Sequence, residues 1–190
     1  MSTYAAMHTL ILGGHKSGKS RAAEQQAAAW LDAAPGHRAT LIATAWPGDD
    51  EMRARIARHR ADRAGRVPGL ATHELAGDLA ATLSERSAAD HLLVVDCLTL
   101  WLTQLLMPPP GWPVGDPDIA VDHLCDALSA SPGPVVLVSN EIGLGVMPMG
   151  AQTRQFLDTL GLLHQRLAGL CDRVTLMVAG LPVLLKGGSA

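Results

Sequence analysis

An eight-residue segment near the N-terminus has the composition and spacing of a phosphate-binding loop. It matches the pattern G-x-x-x-x-G-K-[ST] in full, between an apolar strand-like run and a segment rich in helix formers. Its glycines let successive backbone N–H groups surround an anionic phosphate, and the dipole of the following helix favours negative charge there. The predicted nucleotide-binding residues of this loop are Gly13, Gly14, His15, Lys16, Ser17, Gly18, Lys19 and Ser20.

Three side chains are expected to act on the nucleotide phosphates and their metal ion. Lys19 is predicted to reach the β- and γ-phosphates, and the Ser20 hydroxyl to complete a Mg²⁺ shell. Asp96 ends an apolar strand-like run, the position at which phosphate-loop enzymes hold magnesium with an acidic residue, directly or through water. Aspartate also favours the position just before a helix, so the alternative role of Asp96 is to cap the helix that follows. The two roles are compatible.

A helix predicted from Asp49 to about Arg63 places one histidine among several arginines. Arg55 and Arg63 lie four residues on either side of His59, on the same helix face, and Arg60 is adjacent. Guanidinium groups stabilise negative charge on a phosphorus atom, and their field favours the neutral, nucleophilic imidazole. A surface helix with one incidental histidine also fits this pattern. The spacing leaves both hypotheses open and by itself favours the surface helix.

Apolar strand-like runs alternate with helical patterns along the whole chain, which is typical of a parallel sheet with crossover helices. We therefore predict an α/β, P-loop NTPase-like three-layer fold with a mainly parallel central sheet, and one nucleotide-binding domain over residues 1–190. Residues 1–7 are expected to be an N-terminal addition, and residues 108–118 an exposed Pro/Gly-rich loop. The predicted strands are Thr9–Leu12, Arg38–Ala45, Leu70–Glu74, His91–Asp96, Pro134–Ser139, Arg173–Val178 and, at an edge, Leu181–Lys186. The predicted helices are Arg21–Leu31, Asp49–Arg63 (ended by Gly65 and Pro68), Asp78–Arg86, Leu98–Leu106, Ile119–Ser129 and Gln152–Leu170.

The composition excludes several classes of protein. The 190 residues carry a net charge of −3, which argues against a nucleic-acid or anionic-membrane partner bound by bulk charge. Three widely spaced cysteines form neither a metal knuckle nor a disulfide framework, as expected in a reducing cytoplasm. The first seven residues lack the pattern of a secretory signal, and no run approaches the ~18 apolar residues of a membrane span. We expect a cytoplasmic protein.

Several separated segments, in order, resemble one family of cobalamin biosynthesis, the bifunctional adenosylcobinamide kinase / adenosylcobinamide-phosphate guanylyltransferases. The resemblance extends from about His8 to Lys186. Relatives commonly carry a histidine where Arg58 stands, so one candidate nucleophile is left here, and often a glutamate at the position of Asp96. The segments that carry the resemblance are Gly13–Arg21 with Ala23-Glu24, Ile42–Thr44, Asp49–Met52 with Arg55-Ile56 and His59, Val95–Thr99 with Trp101–Thr103, Val138–Pro148, Gln165–Ala168, and Gly180, Pro182 and Leu185-Lys186.

The resemblance implies that His59 takes the guanylyl group as a covalent phosphoramidate and that the loop from Gly13 to Ser20 binds the GTP phosphates. It implies ATP or GTP as phosphoryl donor, Mg²⁺, adenosylcobinamide and its phosphate as acceptors, and a homotrimer. The corrinoid surface is expected near Trp101, Met107 and Trp112. The residues that would complete the nucleotide site are Thr44, Ala45, Arg60, Ala61, Asp62, Arg63, Glu74 and Asp96.

Two other functions use the same loop. A simple P-loop kinase of another small metabolite would need Lys19, Ser20 and Asp96 but not His59. A GTP-binding regulatory module would bind the nucleotide without covalent catalysis. The phosphate loop alone does not separate these alternatives from a guanylyltransferase.

Overall fold

The chain folds around a twisted sheet of seven strands, with helices on both faces. The computed structural model describes residues 7–112 and 114–188, with every side chain in these ranges except that of Arg55. The strands are β1 (Thr9–Gly13), β2 (Arg38–Ala43), β3 (Leu70–Glu74), β4 (His91–Asp96), β5 (Val135–Val138), β6 (Arg173–Val178) and β7 (Leu181–Lys186). The helices are α1 (Lys19–Ala33), α2 (Asp50–Arg66), α3 (Leu79–Arg86), α4 (Leu98–Leu106), α5 (Pro117–Ala130) and α6 (Ala151–Leu170).

The strand order is β3-β2-β4-β5-β1-β6-β7, which confirms the predicted mainly parallel sheet. Every neighbouring pair is parallel except β6 and β7, which are antiparallel, so the predicted edge strand is present. The central strands are buried on both faces, as parallel strands covered by helices must be. Because successive side chains point to opposite faces, Leu10 packs on one side of β1 and Ile11 on the other.

The two helix layers differ in size. One face of the sheet is covered by α3, α4, α5 and α6, whose leucines form the larger apolar cluster. The other face is covered by α1, through Ala23 and Ala27, and by Val67 just after α2. The resulting arrangement is the predicted three-layer α/β fold. None of the helices in the described ranges is long and apolar enough to cross a membrane.

Helix α2 ends three residues later than predicted. It continues through Gly65 to Arg66, and the Val67 N–H then donates to the Arg63 carbonyl. Glycine was expected to end the helix, but a glycine in a helix interior disfavours it by only about 1 kcal/mol relative to alanine. Pro68 follows the helix and cannot continue it. The extra turn matters because it brings Arg66 onto the helix.

The predicted loop over residues 108–118 is two residues too long. Pro117 opens α5, and Asp116 caps it by accepting a hydrogen bond from the Asp118 N–H at 2.9 Å. Aspartate before a proline at the first helical position is a strong start signal. Pro113 and residues 1–6 of the predicted N-terminal addition lie outside the described residues.

Candidate active site

The predicted site residues lie along the carboxyl edge of the sheet. Gly13, Glu74 and Asp96 end three of the parallel strands, and Thr44 directly follows a fourth. Ligands of open α/β sheets bind in the crevice outside this edge, because the loops that follow the strands meet there. Residues distant in sequence are therefore neighbours at one end of the molecule.

The phosphate loop is held by its own backbone. Gly13 has a φ of +152°, and a Cβ atom built there would lie 2.5 Å from the Met177 carbonyl oxygen and 2.6 Å from Ser17 Oγ. The Ser17 N–H donates to the Gly14 carbonyl at 3.3 Å, and the Ser17 carbonyl accepts from the Gly180 N–H at 3.0 Å. The loop is thus packed against β6 and the β6–β7 turn, which require a glycine at position 13.

Lys19 is buried at the start of α1 and points back over the loop. Its Nζ donates to the Gly14 carbonyl at 2.6 Å and lies 3.4 Å from Ser17 Oγ. Burial lowers the pKa of Lys19, while the nearby Cys97 and Asp96 oppose that shift. His15 and Lys16, at the tip of the loop, are exposed. A desolvated ammonium beside backbone donors is suited to bind phosphate oxygens.

Asp96 lies beside the first turn of α1. Burial raises the pKa of its carboxyl, and this is opposed first by the hydrogen bond that the Ser20 hydroxyl donates, then by Arg63 and His59. The described residues contain no cluster of three or more histidine, cysteine or acidic side chains that could hold a metal. The pair Ser20 and Asp96 still fits Mg²⁺, which keeps several water ligands and takes others from nucleotide phosphates.

Thr44 and Ala45 lie at the end of β2, which stops two residues earlier than predicted. The Thr44 hydroxyl accepts from the Cys97 N–H at 2.8 Å and donates to the Cys97 carbonyl at 2.7 Å. The Thr44 N–H donates to the Asp96 carbonyl at 3.2 Å. Thr44 is buried and Ala45 half-buried, so the side chain of Thr44 holds the backbone that follows Asp96.

Some of the predicted site residues on α2 lie near the phosphate loop and the strand ends. His59 is exposed and lies within electrostatic range of the Asp96 carboxyl, where it opposes the rise in the pKa of that group. Arg63 is buried next to Glu24 and Asp96; burial lowers the pKa of Arg63, and the two carboxylates oppose the shift. Arg60 pairs with Glu74 at 2.6 Å, which joins α2 to the end of β3.

Two other predicted residues of α2 make no side-chain hydrogen bond or ion pair with the crevice among the described residues. Ala61 is exposed. Asp62 is also exposed, and its charge acts on Arg66, one turn further along the helix. The side chain of Arg55 is outside the described set.

Sequence reasoning missed an ion pair behind the site. The carboxylate of Glu24, on α1, accepts two hydrogen bonds from Arg66 on α2, at 2.7 and 3.0 Å. Glu24 was noted only as part of a family segment, and Arg66 was placed beyond the predicted helix. The spacing of seven residues between His59 and Arg66 was the available signal, because it places both on one helix face.

A second missed group follows β5. His164 Nε2 lies 2.7 Å from Ser139 Oγ, which is 3.2 Å from Thr99 Oγ1, and His164 Nδ1 lies 3.6 Å from the Glu141 carboxylate. Burial lowers the pKa of His164, whereas Glu141 raises it. The Glu141 N–H donates to the Gly13 carbonyl at 3.0 Å. This buried network therefore holds the segment after β5 against the phosphate loop.

The region expected to hold the corrinoid is only partly at the surface. Trp101 is 5% exposed and belongs to the larger apolar cluster, so its assignment to a ligand surface is wrong. Its place on the inner face of α4 puts it in the core. Met107 is 56% exposed and Trp112 half-buried.

A glycine-rich loop between β1 and α1, a buried lysine over it and a serine bonded to a strand-end aspartate define a P-loop nucleotide-binding protein. The fold agrees with a solved structure, the flagellar accessory protein FlaH from Methanocaldococcus jannaschii. That match has a TM-score of 0.52 at 11% sequence identity and covers 97% of this chain and 80% of that one. At this identity it supports the fold alone.

Sequence comparison identifies the family. The model of the CobU family, described as cobinamide kinase / cobinamide phosphate guanyltransferase, matches residues 9–185. The chain is 48% identical to the bifunctional adenosylcobalamin biosynthesis protein CobP of Pseudomonas aeruginosa, over 95% of this chain and 98% of that protein. It is 36% identical to CobU of Salmonella typhimurium, over 95% of this chain and all of that protein.

The chain therefore belongs to the CobU family, which confirms the resemblance seen in its sequence. It is a bifunctional cobinamide kinase and cobinamide phosphate guanylyltransferase of adenosylcobalamin biosynthesis. The two alternatives, a kinase of another metabolite and a regulatory module, are excluded.

Proposed function

We propose that guanylyl transfer proceeds through a covalent intermediate on His59, with the phosphate loop binding the triphosphate in both half-reactions. The observation that supports this proposal is the position of Asp96 between the loop and α2: the Ser20 hydroxyl hydrogen-bonds to its carboxyl, and Arg63 and His59 of α2 both lie within electrostatic range of it. A nucleophile at this place faces a nucleotide whose phosphates lie on the loop. Covalent catalysis divides one difficult transfer between two anionic partners into two easier steps.

In the kinase step, the aminopropanol hydroxyl of adenosylcobinamide attacks the γ-phosphorus of ATP or GTP. A new P–O bond forms, the bond to the β-phosphate bridging oxygen breaks, and the hydroxyl proton leaves to solvent. Lys19 and the backbone N–H groups of the loop neutralise the developing charge and hold the phosphates in line. Magnesium, held by Ser20 and Asp96, would supply further charge neutralisation.

In the transferase step, the neutral imidazole of His59 attacks the α-phosphorus of GTP. The N–P bond forms as the bond from the α-phosphorus to the bridging oxygen breaks, and pyrophosphate leaves. An oxygen of adenosylcobinamide phosphate then attacks the same phosphorus and breaks the N–P bond, giving adenosylcobinamide-GDP. Arg60 and Arg63 shield the anionic phosphorus, and Thr44, Ala45 and the other predicted residues of the edge complete the nucleotide site.

The test is retention of label from GTP labelled at the α-phosphate. We expect acid-labile, base-stable label on the parent protein and none on His59→Ala. His123→Ala, which removes another exposed histidine on α5, is the matched control and keeps the label. A parent protein that makes adenosylcobinamide-GDP without ever retaining label transfers the group directly, and the covalent proposal then fails.

Lys19 and His59 should separate the two half-reactions. Lys19→Ala weakens both, because both bind their triphosphate on the loop, whereas His59→Ala spares transfer of the γ-phosphate. Label at the γ-phosphate, followed into adenosylcobinamide phosphate, measures the kinase step alone. Equal loss of both activities in His59→Ala contradicts separate roles.

We further propose a cytoplasmic homotrimer. Strand β7 lies at the edge of the sheet, and its Leu181, Val183, Leu184 and Leu185 are 40 to 68% exposed. An apolar edge strand of this kind is a ready surface for a second chain. All three cysteines are free, as in a reducing compartment. Sedimentation velocity of the parent and of Leu181→Lys measures the oligomeric state. A monomeric parent refutes the proposed trimer.

A further inference from the structure

The ion pair between Glu24 and Arg66 joins the two helices on which the proposed chemistry depends. Helix α1 begins at the phosphate loop, and Glu24 follows Ser20 by one helical turn. Helix α2 carries His59. The Glu24 carboxylate is 5% exposed and takes both hydrogen bonds in the parallel, forked geometry, from Nε at 2.7 Å and Nη2 at 3.0 Å. A forked pair fixes direction as well as distance.

Helix α2 has few other means of keeping its position. Among its described side chains only Arg63 is buried, and the apolar residues Met52 and Ile56 are half-buried. The ion pair of Arg60 with Glu74 is largely exposed, with side chains 48 and 57% accessible. Exposed pairs of this kind contribute about 0–1 kcal/mol. The buried carboxylate of Glu24 is therefore the stronger polar anchor.

The anchor and the nucleophile lie on one stripe of the helix. Arg66 follows His59 by seven residues. In an α-helix this spacing is a rotation about 20° short of two full turns and a rise of about 10 Å along the axis. Arg63 lies between them and is close to both Glu24 and Asp96. A rotation or shift of α2 at Arg66 is thus transmitted to His59 through less than two turns of helix.

We infer that Glu24 and Arg66 are positioning residues for guanylyl transfer: their forked pair sets the register of α2 against the phosphate loop, and so sets His59 against the α-phosphorus. This inference rests on the proposed covalent role of His59. Nucleophilic attack requires the reacting atoms about 3–3.5 Å apart and aligned, and a displacement of about 1 Å can slow such a step about 100-fold. The kinase step does not use α2 for attack and does not share this requirement.

The experiment compares two rates in the same preparations. Arg66→Lys keeps the charge but loses the fork, and Glu24→Gln keeps the shape but loses the charge. Asp90→Asn is the matched control, because Asp90 forms a forked pair with Arg38 whose side chains are 52 and 58% exposed, at the start of β2. The measurements are the single-turnover rate of α-label incorporation at saturating GTP, the rate of γ-phosphate transfer, and the unfolding temperature.

We expect Arg66→Lys to slow labelling about 10- to 100-fold while phosphate transfer changes less than about threefold. Asp90→Asn should leave both rates unchanged. Equal slowing of labelling and phosphate transfer overturns the inference, because the pair would then support nucleotide binding on the phosphate loop. An unchanged labelling rate also overturns it. Arg66 is 43% exposed, so Arg66→Lys remains informative if Glu24→Gln fails to fold. A parent protein that never labels refutes the role of His59 itself, a separate result.

Discussion

Two adjacent glycines of the phosphate loop should differ strongly in their response to the same substitution. Gly13 has a φ of +152°, and an added Cβ would lie 2.5 Å from the Met177 carbonyl oxygen and 2.6 Å from Ser17 Oγ. Gly14 has no heavy atom within 4 Å of such a Cβ. The loop pattern fixes glycine at position 13 and leaves position 14 unrestricted, and the tertiary structure gives the physical reason for that difference.

The magnitude for Gly13→Ala follows from two terms. A side chain held in a sparsely populated backbone region costs about 1–3 kcal/mol. The overlap with backbone of β6 forces a shift, and overpacking adds about 1–3 kcal/mol. The sum, about 2–6 kcal/mol, is a large part of a typical stability of about 5–15 kcal/mol. For a chain of this length it lowers the unfolding temperature by roughly 5–20 °C.

The assay is urea unfolding of the nucleotide-free protein, followed by circular dichroism, with calorimetry for the unfolding temperature. We expect Gly14→Ala to lie within about 1 kcal/mol of the parent, because the added methyl meets open space. A loss below about 1 kcal/mol in Gly13→Ala, or an equal loss in both variants, refutes the packing of the loop against Met177.

Three further predictions concern stability and reactivity. Thr44→Val removes both hydrogen bonds to Cys97 and should destabilise the protein by about 2–4 kcal/mol in urea unfolding, whereas Thr44→Ser should retain most of the stability. His8 is buried with Nδ1 unpaired among the described residues, and burial lowers its pKa, opposed by Asp172. The contribution of the neutral His8 to stability is therefore complete above the unfolded pKa near 6.5 and is lost as pH falls below it. Between pH 7.5 and 5.5, the free energy of unfolding should depend on pH less steeply in His8→Gln than in the parent, by up to ~1.4 kcal/mol per pH unit. Burial raises the pKa of Cys97 to about 11, with a contribution from Asp96, so mass spectrometry should find this thiol unmodified by iodoacetamide at pH 8 until the protein unfolds.

Most strands and helices could be predicted from the sequence because their signals are local. The bounds of β3, β4, α4 and β6 agree with the prediction to the residue, since apolar runs are bounded there by polar residues and turn residues. The start of α5 was missed although its signal is also local, an aspartate cap before Pro117. The phosphate loop could also be predicted from the sequence, because its chemistry requires a fixed spacing of glycines, lysine and serine.

What the sequence by itself determined was therefore the fold class, the phosphate loop and the family. Only the tertiary structure decided how α2, which carries His59, is held against α1. Glu24 and Arg66 are 42 residues apart, and their pairing depends on how α1 and α2 pack across one face of the sheet. Thr44 is predicted to belong to the nucleotide site, and the sheet order sets the partner of its hydroxyl, Cys97, 53 residues later. Spacing along one helix specifies a face, whereas the partner of that face is set by the order in which the strands assemble.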